Sequence, residues 1–189
     1  MASRSLPLMM VVLFEGDLGR RLDRWRRSYD PMGADRIPPH LALVSPVLAE
    51  APLLPLERQV WGVCHSSPPV WLELGDIARD GGLLYVEVVN GGPELARLRD
   101  ALYAGPFAGH QETADAPLPR VVVAQPADER ELDVASKQLL GLQVRSSYEV
   151  KQVHLMAAHA DGSWYVRDFF GLDGAYADQS GSARLGRVS

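Results

Sequence analysis

The chain has 189 residues, 47% of them hydrophobic, a net charge of −5 and a single cysteine, Cys64. That apolar content can bury a core in one domain or two tightly joined lobes, the acidic balance argues against unspecific nucleic-acid binding, and one cysteine excludes an internal disulfide framework. With no secretory leader and no apolar run of membrane-spanning length, the expectation is a soluble, cytoplasmic, bacterial-type protein, monomeric and without a membrane partner.

Taken in order, the chain opens on Leu6 to Phe14, an apolar run of strand length. Asp17 is placed to cap a helix whose apolar stripe is Leu18, Leu22, Trp25 and Tyr29. Arg20, Arg21, Arg24, Arg26 and Arg27 fill its other faces, which reads first as a solvated basic surface and second as a means of steering an anion. A loop from Asp30 to Pro39 follows. It leads into Pro38-Pro39-His40-Leu41-Ala42-Leu43-Val44-Ser45-Pro46, a strand that starts and stops on proline. Alternation sends His40, Ala42 and Val44 to one face, Leu41 and Leu43 to the other. His40 is a candidate acid or base, since an imidazole titrates near neutral pH.

Eighty positions on, Leu118-Pro119-Arg120-Val121-Val122-Val123-Ala124-Gln125-Pro126 repeats this plan, with Arg120 where the first copy has His40. Each copy precedes a helical stretch, marked by Leu53, Leu56, Val60 and Val63 in the first and by Leu132, Ala135 and Leu139 in the second. Two strands then follow each helix: Val70 to Leu74 and Leu84 to Val88, then Leu142 to Arg145 and Val153 to Ala157. The pattern predicts an α+β fold, a duplicated β-α-β-β arrangement in two lobes whose antiparallel sheets surround a central cleft facing His40 and Arg120. Asp80-Gly81-Gly82 is a turn, and Asn90-Gly91-Gly92-Pro93 stops a strand before a helix that turns Leu95, Leu98 and Leu102 inward. Neither glycine pair has the spacing of a phosphate loop or a dinucleotide fingerprint. Gly105 to Pro117 is the least patterned stretch and contains His110.

His154 reads as a partly buried strand histidine, level in the repeat with Leu84 and Tyr85, and His159 as exposed. Five positions apart, the two point to opposite faces of a strand and form no metal pair, so no metal and no cofactor are expected. A domain over 1–172 is expected to end in a flexible or loosely docked tail, 173–189.

These residues, with the stretch Tyr29 to Val47 as the best part, resemble the two-histidine (2H) phosphoesterase superfamily, which includes the 2′-5′ RNA ligase family and cyclic phosphodiesterases. The resemblance runs from about Leu8 to Phe170. It implies a cleft lined by two His-x-Thr-x motifs, whose four side chains here read His40, Ala42, Arg120 and Val122, so three of four are replaced. It also places Arg36 at the cleft rim as a ligand candidate, while His110, in the loop before Arg120, reads first as a surface residue and second as a ligand-binding substitute for the lost second histidine. In the family a 2′,3′-cyclic phosphate is opened by one imidazole taking a proton from water and another protonating the leaving oxygen, while hydroxyl donors hold the nonbridging oxygens. His40 fits one role. Arg120 holds its proton at any ordinary pH and fits only as an anion clamp, while Ala42 and Val122 donate nothing. The resulting expectation is a diverged member that binds a phosphorylated small molecule, a nucleotide or an RNA end between His40 and Arg120, with weak or lost hydrolase activity. The alternative is an active phosphodiesterase with a rewired site, acting on 2′,3′-cyclic phosphate or 2′-5′ linked nucleotides.

Overall fold

The computed structural model describes residues 5–49, 53–110 and 120–174. The elements are β1 (Leu6–Leu13), α1 (Gly16–Tyr29), α2 (Pro31–Arg36), β2 (His40–Ala49), α3 (Leu54–Ser66), β3 (Val70–Asp80), β4 (Leu83–Asn90), α4 (Gly92–Ala104), β5 (Val121–Ala124), α5 (Glu129–Leu139), β6 (Gln143–Val150), β7 (Gln152–Ala158) and β8 (Trp164–Gly171). The strands form one antiparallel sheet in the order β6-β3-β4-β5-β2-β1-β7-β8. The strands carrying His40 and Arg120 are therefore central and adjacent, as the repeat predicts, and they pair at Leu41 and Val121.

The sheet order is symmetric about that central pair. β4-α4-β5 on one side corresponds to β1-α1-β2 on the other, so the twofold relation reaches one strand further upstream than the repeat visible in the sequence. Each helix crosses over: α1 packs on β5 and α5, whereas α4 packs on β2 and α3. The two halves thus share one helix-covered core, built on Leu8, Met10, Leu41, Leu43, Leu84, Val86, Val121 and Val123 from the strands and on Leu22, Val60, Leu95 and Leu132 from the helices. Those strand residues alternate with a second set that faces away from the helices, which is where the histidine and arginine of the repeat stand.

Local chemistry revises several boundaries. Asp17 lies in the first turn of α1, and the N-cap is Glu15, which makes no side-chain cap bond. The segment expected to be a loop from Asp30 contains α2, where Pro31 presets the first turn and the Asp30 carboxylate accepts the Gly33 N–H. β2 continues through Pro46 to Ala49. The missing N–H is tolerated there because the Pro46 stretch lies beyond the pairing with β5, and the register with β1 shifts between Leu8 and Met10. Of the tail expected to be flexible or loosely docked, Asp173 and Gly174 make contacts: the Gly174 N–H donates to the Ser67 carbonyl, and Asp173 lies 2.7 Å from the His65 ring. Residues 175–189, and 111–119 of the loop that contains His110, lie outside the described residues.

Gly91 combines a left-handed backbone with a close approach to a neighbouring strand. Its φ is +85°, and a Cβ there would stand 2.2 Å from the Trp71 carbonyl oxygen. Gly81 in the β3–β4 turn also has positive φ, +53°, but faces open space. Gly91→Ala is expected to destabilise the protein by roughly 2–4 kcal/mol, from strain plus overpacking, and Gly81→Ala by about 1 kcal/mol from strain alone. Parallel denaturant titrations read the difference, and equal losses would refute the close approach at Trp71.

Candidate functional site

The face opposite the helices is assembled strand by strand. Leu41 and Val121 are paired and both buried, so their sequence neighbours His40, Ala42, Arg120 and Val122 emerge together on the other side. Tyr85 joins them from β4, paired with Val122, and Val11 from β1, paired with Ala42. Ala42 is exposed, while His40, Arg120, Val122 and Tyr85 are half-buried. Among the described residues no side chain covers Ala42, which leaves the centre of this face exposed.

His40 stands at the first position of β2. Its Nδ1 lies 3.0 Å from the Pro38 carbonyl oxygen, and because a carbonyl only accepts, Nδ1 carries the proton and Nε2 the lone pair. Burial pushes the imidazole down to about 4; the Pro38 carbonyl opposes this, and the Arg26 charge adds to it. His40 is therefore neutral at pH 7. It can take a proton through Nε2, but it has none to give a leaving group there.

Arg120 has a resident partner. Its Nη1 lies 2.6 Å from Asp80 Oδ2, and its guanidinium sits 4.9 Å from the centre of the Tyr85 ring. Asp80, at the end of β3, supplies this carboxylate, so an incoming anion competes with it. Arg36 is exposed at the end of α2. His110 is exposed as well, and its ring makes no hydrogen bond or ion pair with the described residues. The structure thus brings together His40, Ala42, Arg120 and Val122 and links neither Arg36 nor His110 to them.

The two halves of the face differ in chemistry. On the β1 side lies a small apolar cluster of Met9, Val11, Ile37 and Met156, flanked by Leu13 and Trp164. On the β3–β4 side Glu73, Asp76 and Glu87 line an open hollow of about 450 Å³ with Val89 and Arg145, and no motif residue lines it. His154 belongs to the first side, paired with Val11 and with Phe169. It is 6% exposed, more buried than expected. Burial lowers its pKa; Glu15 and the Val11 carbonyl pull the other way. His159 is exposed, as expected, with its ring 4.4 Å from that of Tyr165.

Two sequence candidates resolve into structure. In the arginine-rich helix, Arg20 pairs with Asp17 and Arg27 with Asp23, Arg21 donates to the Val144 carbonyl at 2.8 Å, and Arg26 is buried against Asp30. Arg20 and Arg27 thus sit in surface ion pairs, whereas Arg26 is buried and departs from the solvated face that the sequence suggests. Cys64 is buried, and burial pushes its thiol up to about 12, which removes it as a nucleophile. Among the described residues no group of three or more His, Cys, Asp and Glu could hold a metal ion, and no helix is long and apolar enough to cross a membrane.

An eight-stranded antiparallel sheet with a pair of repeat-related strands at its centre and a histidine at the entry of one defines a phosphoesterase-like fold of the 2H type. The chain belongs to the 2′-5′ RNA ligase superfamily, whose pattern it matches over residues 14–162. Its fold is similar to that of Escherichia coli LigT complexed with phosphate, at 17% identity and a TM-score of 0.62, over 90% of this chain and 99% of that one. The same protein complexed with 3′-AMP matches at 16% identity and 0.61, over 89% and 99%. TT0787 of Thermus thermophilus matches at 15% identity and 0.63, over 89% and 98%. No curated protein sequence matches the chain.

Proposed function

We propose that the protein binds a phosphate-bearing ligand, a nucleotide or an RNA end, at the centre of this face and that its cyclic phosphodiesterase activity is weak or lost. The observation that carries the reading is the content of the four motif positions: one neutral imidazole, one arginine and two side chains without a donor. The open floor at Ala42 supports a ligand site. The LigT structures hold phosphate, 3′-AMP, ATP and NADP+, which supports this ligand class for a relative of the same fold. Arg120 clamps the anion, and Tyr85 beneath it limits the directions the guanidinium can take. Loss of catalysis follows from the proton inventory: His40 covers the base, Arg120 cannot protonate a leaving oxygen, and Ala42 and Val122 donate nothing to a developing charge.

The test is calorimetric titration with inorganic phosphate and with 2′,3′-cyclic AMP. Binding is expected to weaken as salt rises and to fall at least tenfold in Arg120→Ala. Asp80→Asn removes the competing carboxylate; since an exposed ion pair is worth about 0.2–1 kcal/mol, it is expected to tighten phosphate by up to about fivefold. Unchanged heats in Arg120→Ala would leave Arg120 as a structural partner of Asp80 and end the proposal.

A further inference from the structure

His40 is not held by its own strand alone. The Pro38 carbonyl that faces its Nδ1 at 3.0 Å also faces Arg26 Nη1, at 3.5 Å. Arg26 reaches this point from the last turn of α1 and is only 4% exposed. Its Nη2 lies 3.4 Å from Asp30 Oδ2, and Asp30 Oδ1 accepts the Gly33 N–H at 3.0 Å. The packing around this pair is close: a Cβ on Gly33 would stand 2.2 Å from Asp30 Oδ2 and 2.7 Å from Arg26 Nη2. Yet the network is not a fully satisfied one, because Arg26 Nε is buried without a partner. Burying a guanidinium at that cost calls for a return beyond stability, since an apolar side chain of similar volume is often as stable.

We propose that Arg26 is a positioning residue for His40: by sharing the Pro38 carbonyl it fixes the imidazole with its proton on Nδ1 and holds Nε2 toward the open face as a permanent acceptor. A carbonyl has two lone pairs and can serve both donors at once. A cation so near also makes a second proton on the ring unfavourable, so the acceptor state persists in moderately acidic solution. Arg26 from α1 is the charged group that acts on the ring, with Asp30 as its counterion. The ligand group that meets Nε2 is then a donor, a water or a ribose hydroxyl, while the phosphate oxygens turn to Arg120. This inference deepens the ligand reading above and rests on it for the ligand's orientation, but its test reads His40 itself and needs neither ligand nor activity.

Long-range 1H–15N NMR of the full chain, with His40→Gln to assign the ring, reads tautomer and titration together. In the unchanged protein His40 is expected as the Nδ1–H tautomer at pH 7, titrating near 4. In Arg26→Met the Pro38 carbonyl loses its second donor, so a larger share of the other tautomer and a raised midpoint are expected. Gly33→Ala keeps both charged groups and pushes the guanidinium aside, so a smaller shift of the same sign is expected there; it decides the matter if the methionine variant does not fold. A folded variant of either kind with the His40 tautomer and midpoint of the unchanged protein would reduce Arg26 to a structural ion-pair partner and overturn the proposal.

Discussion

The combined variant Ala42→Thr, Arg120→His, Val122→Thr is expected to hydrolyse 2′,3′-cyclic nucleotides at least a hundredfold faster than the unchanged protein. The four positions already share one open face, so new side chains would arrive where their counterparts are needed. A general acid is worth about a hundred- to ten-thousandfold and an oxyanion donor about a hundred- to a thousandfold. These gains do not add when the groups act as a unit, so each single replacement is expected to do far less than the three together. Arg120→His also leaves Asp80 beside the new imidazole, at a spot where a carboxylate can orient the ring and sustain its protonated form. Initial rates with the variant, its His40→Ala derivative and the unchanged protein decide. A folded triple variant that remains inactive would mean that more than the motif has been lost. Turnover of roughly one per second or more by the unchanged protein, abolished by His40→Ala, would mean that little has.

Acid is expected to weaken the fold through His40. In the unfolded chain the ring titrates near its ordinary 6.5, and in the folded protein near 4. Above pH 6.5 neither state binds the proton and His40 contributes no slope. As the pH falls from 6.5 to 4 the unfolded state takes up a proton that the folded state refuses, so stability drops, at most by roughly 3 kcal/mol over that window. His154, whose pKa burial also lowers, acts in the same direction. Urea titrations at steps from pH 7 to 4 should show this decline, and His40→Gln should show a clearly shallower one, with the part due to His154 retained. Parallel curves for the two proteins would contradict the burial of an uncharged His40.

Much of this was legible in the sequence because it rests on local pattern. The proline-bounded strands with alternating apolar residues gave both central strands, and the adjacency of His40 and Arg120 followed from their being copies of one another. Asp80 as the partner of Arg120 was not legible: 40 positions separate them, and only the β4–β5 pairing carries the β3–β4 turn to the arginine. α2 was missed because six residues that include a proline and a glycine carry no periodicity, although Asp30 before Pro31 was a start signal. Arg26 carries the same charge as its solvated neighbours, and composition alone does not set it apart. Its spacing from Leu22 and Asp30, four residues each way, was the available clue that it lies on the inward stripe with an acid one turn on.

Crystals of the protein soaked in 2′,3′-cyclic AMP test the central claim most directly, because one experiment reports where the ligand sits and whether its phosphate ring has been opened. The expected result is an intact cyclic phosphate against Arg120, with Asp80 turned away and a water or ligand hydroxyl on His40 Nε2. A ring-opened monoester in that place, or a ligand bound away from His40 and Arg120, would contradict it.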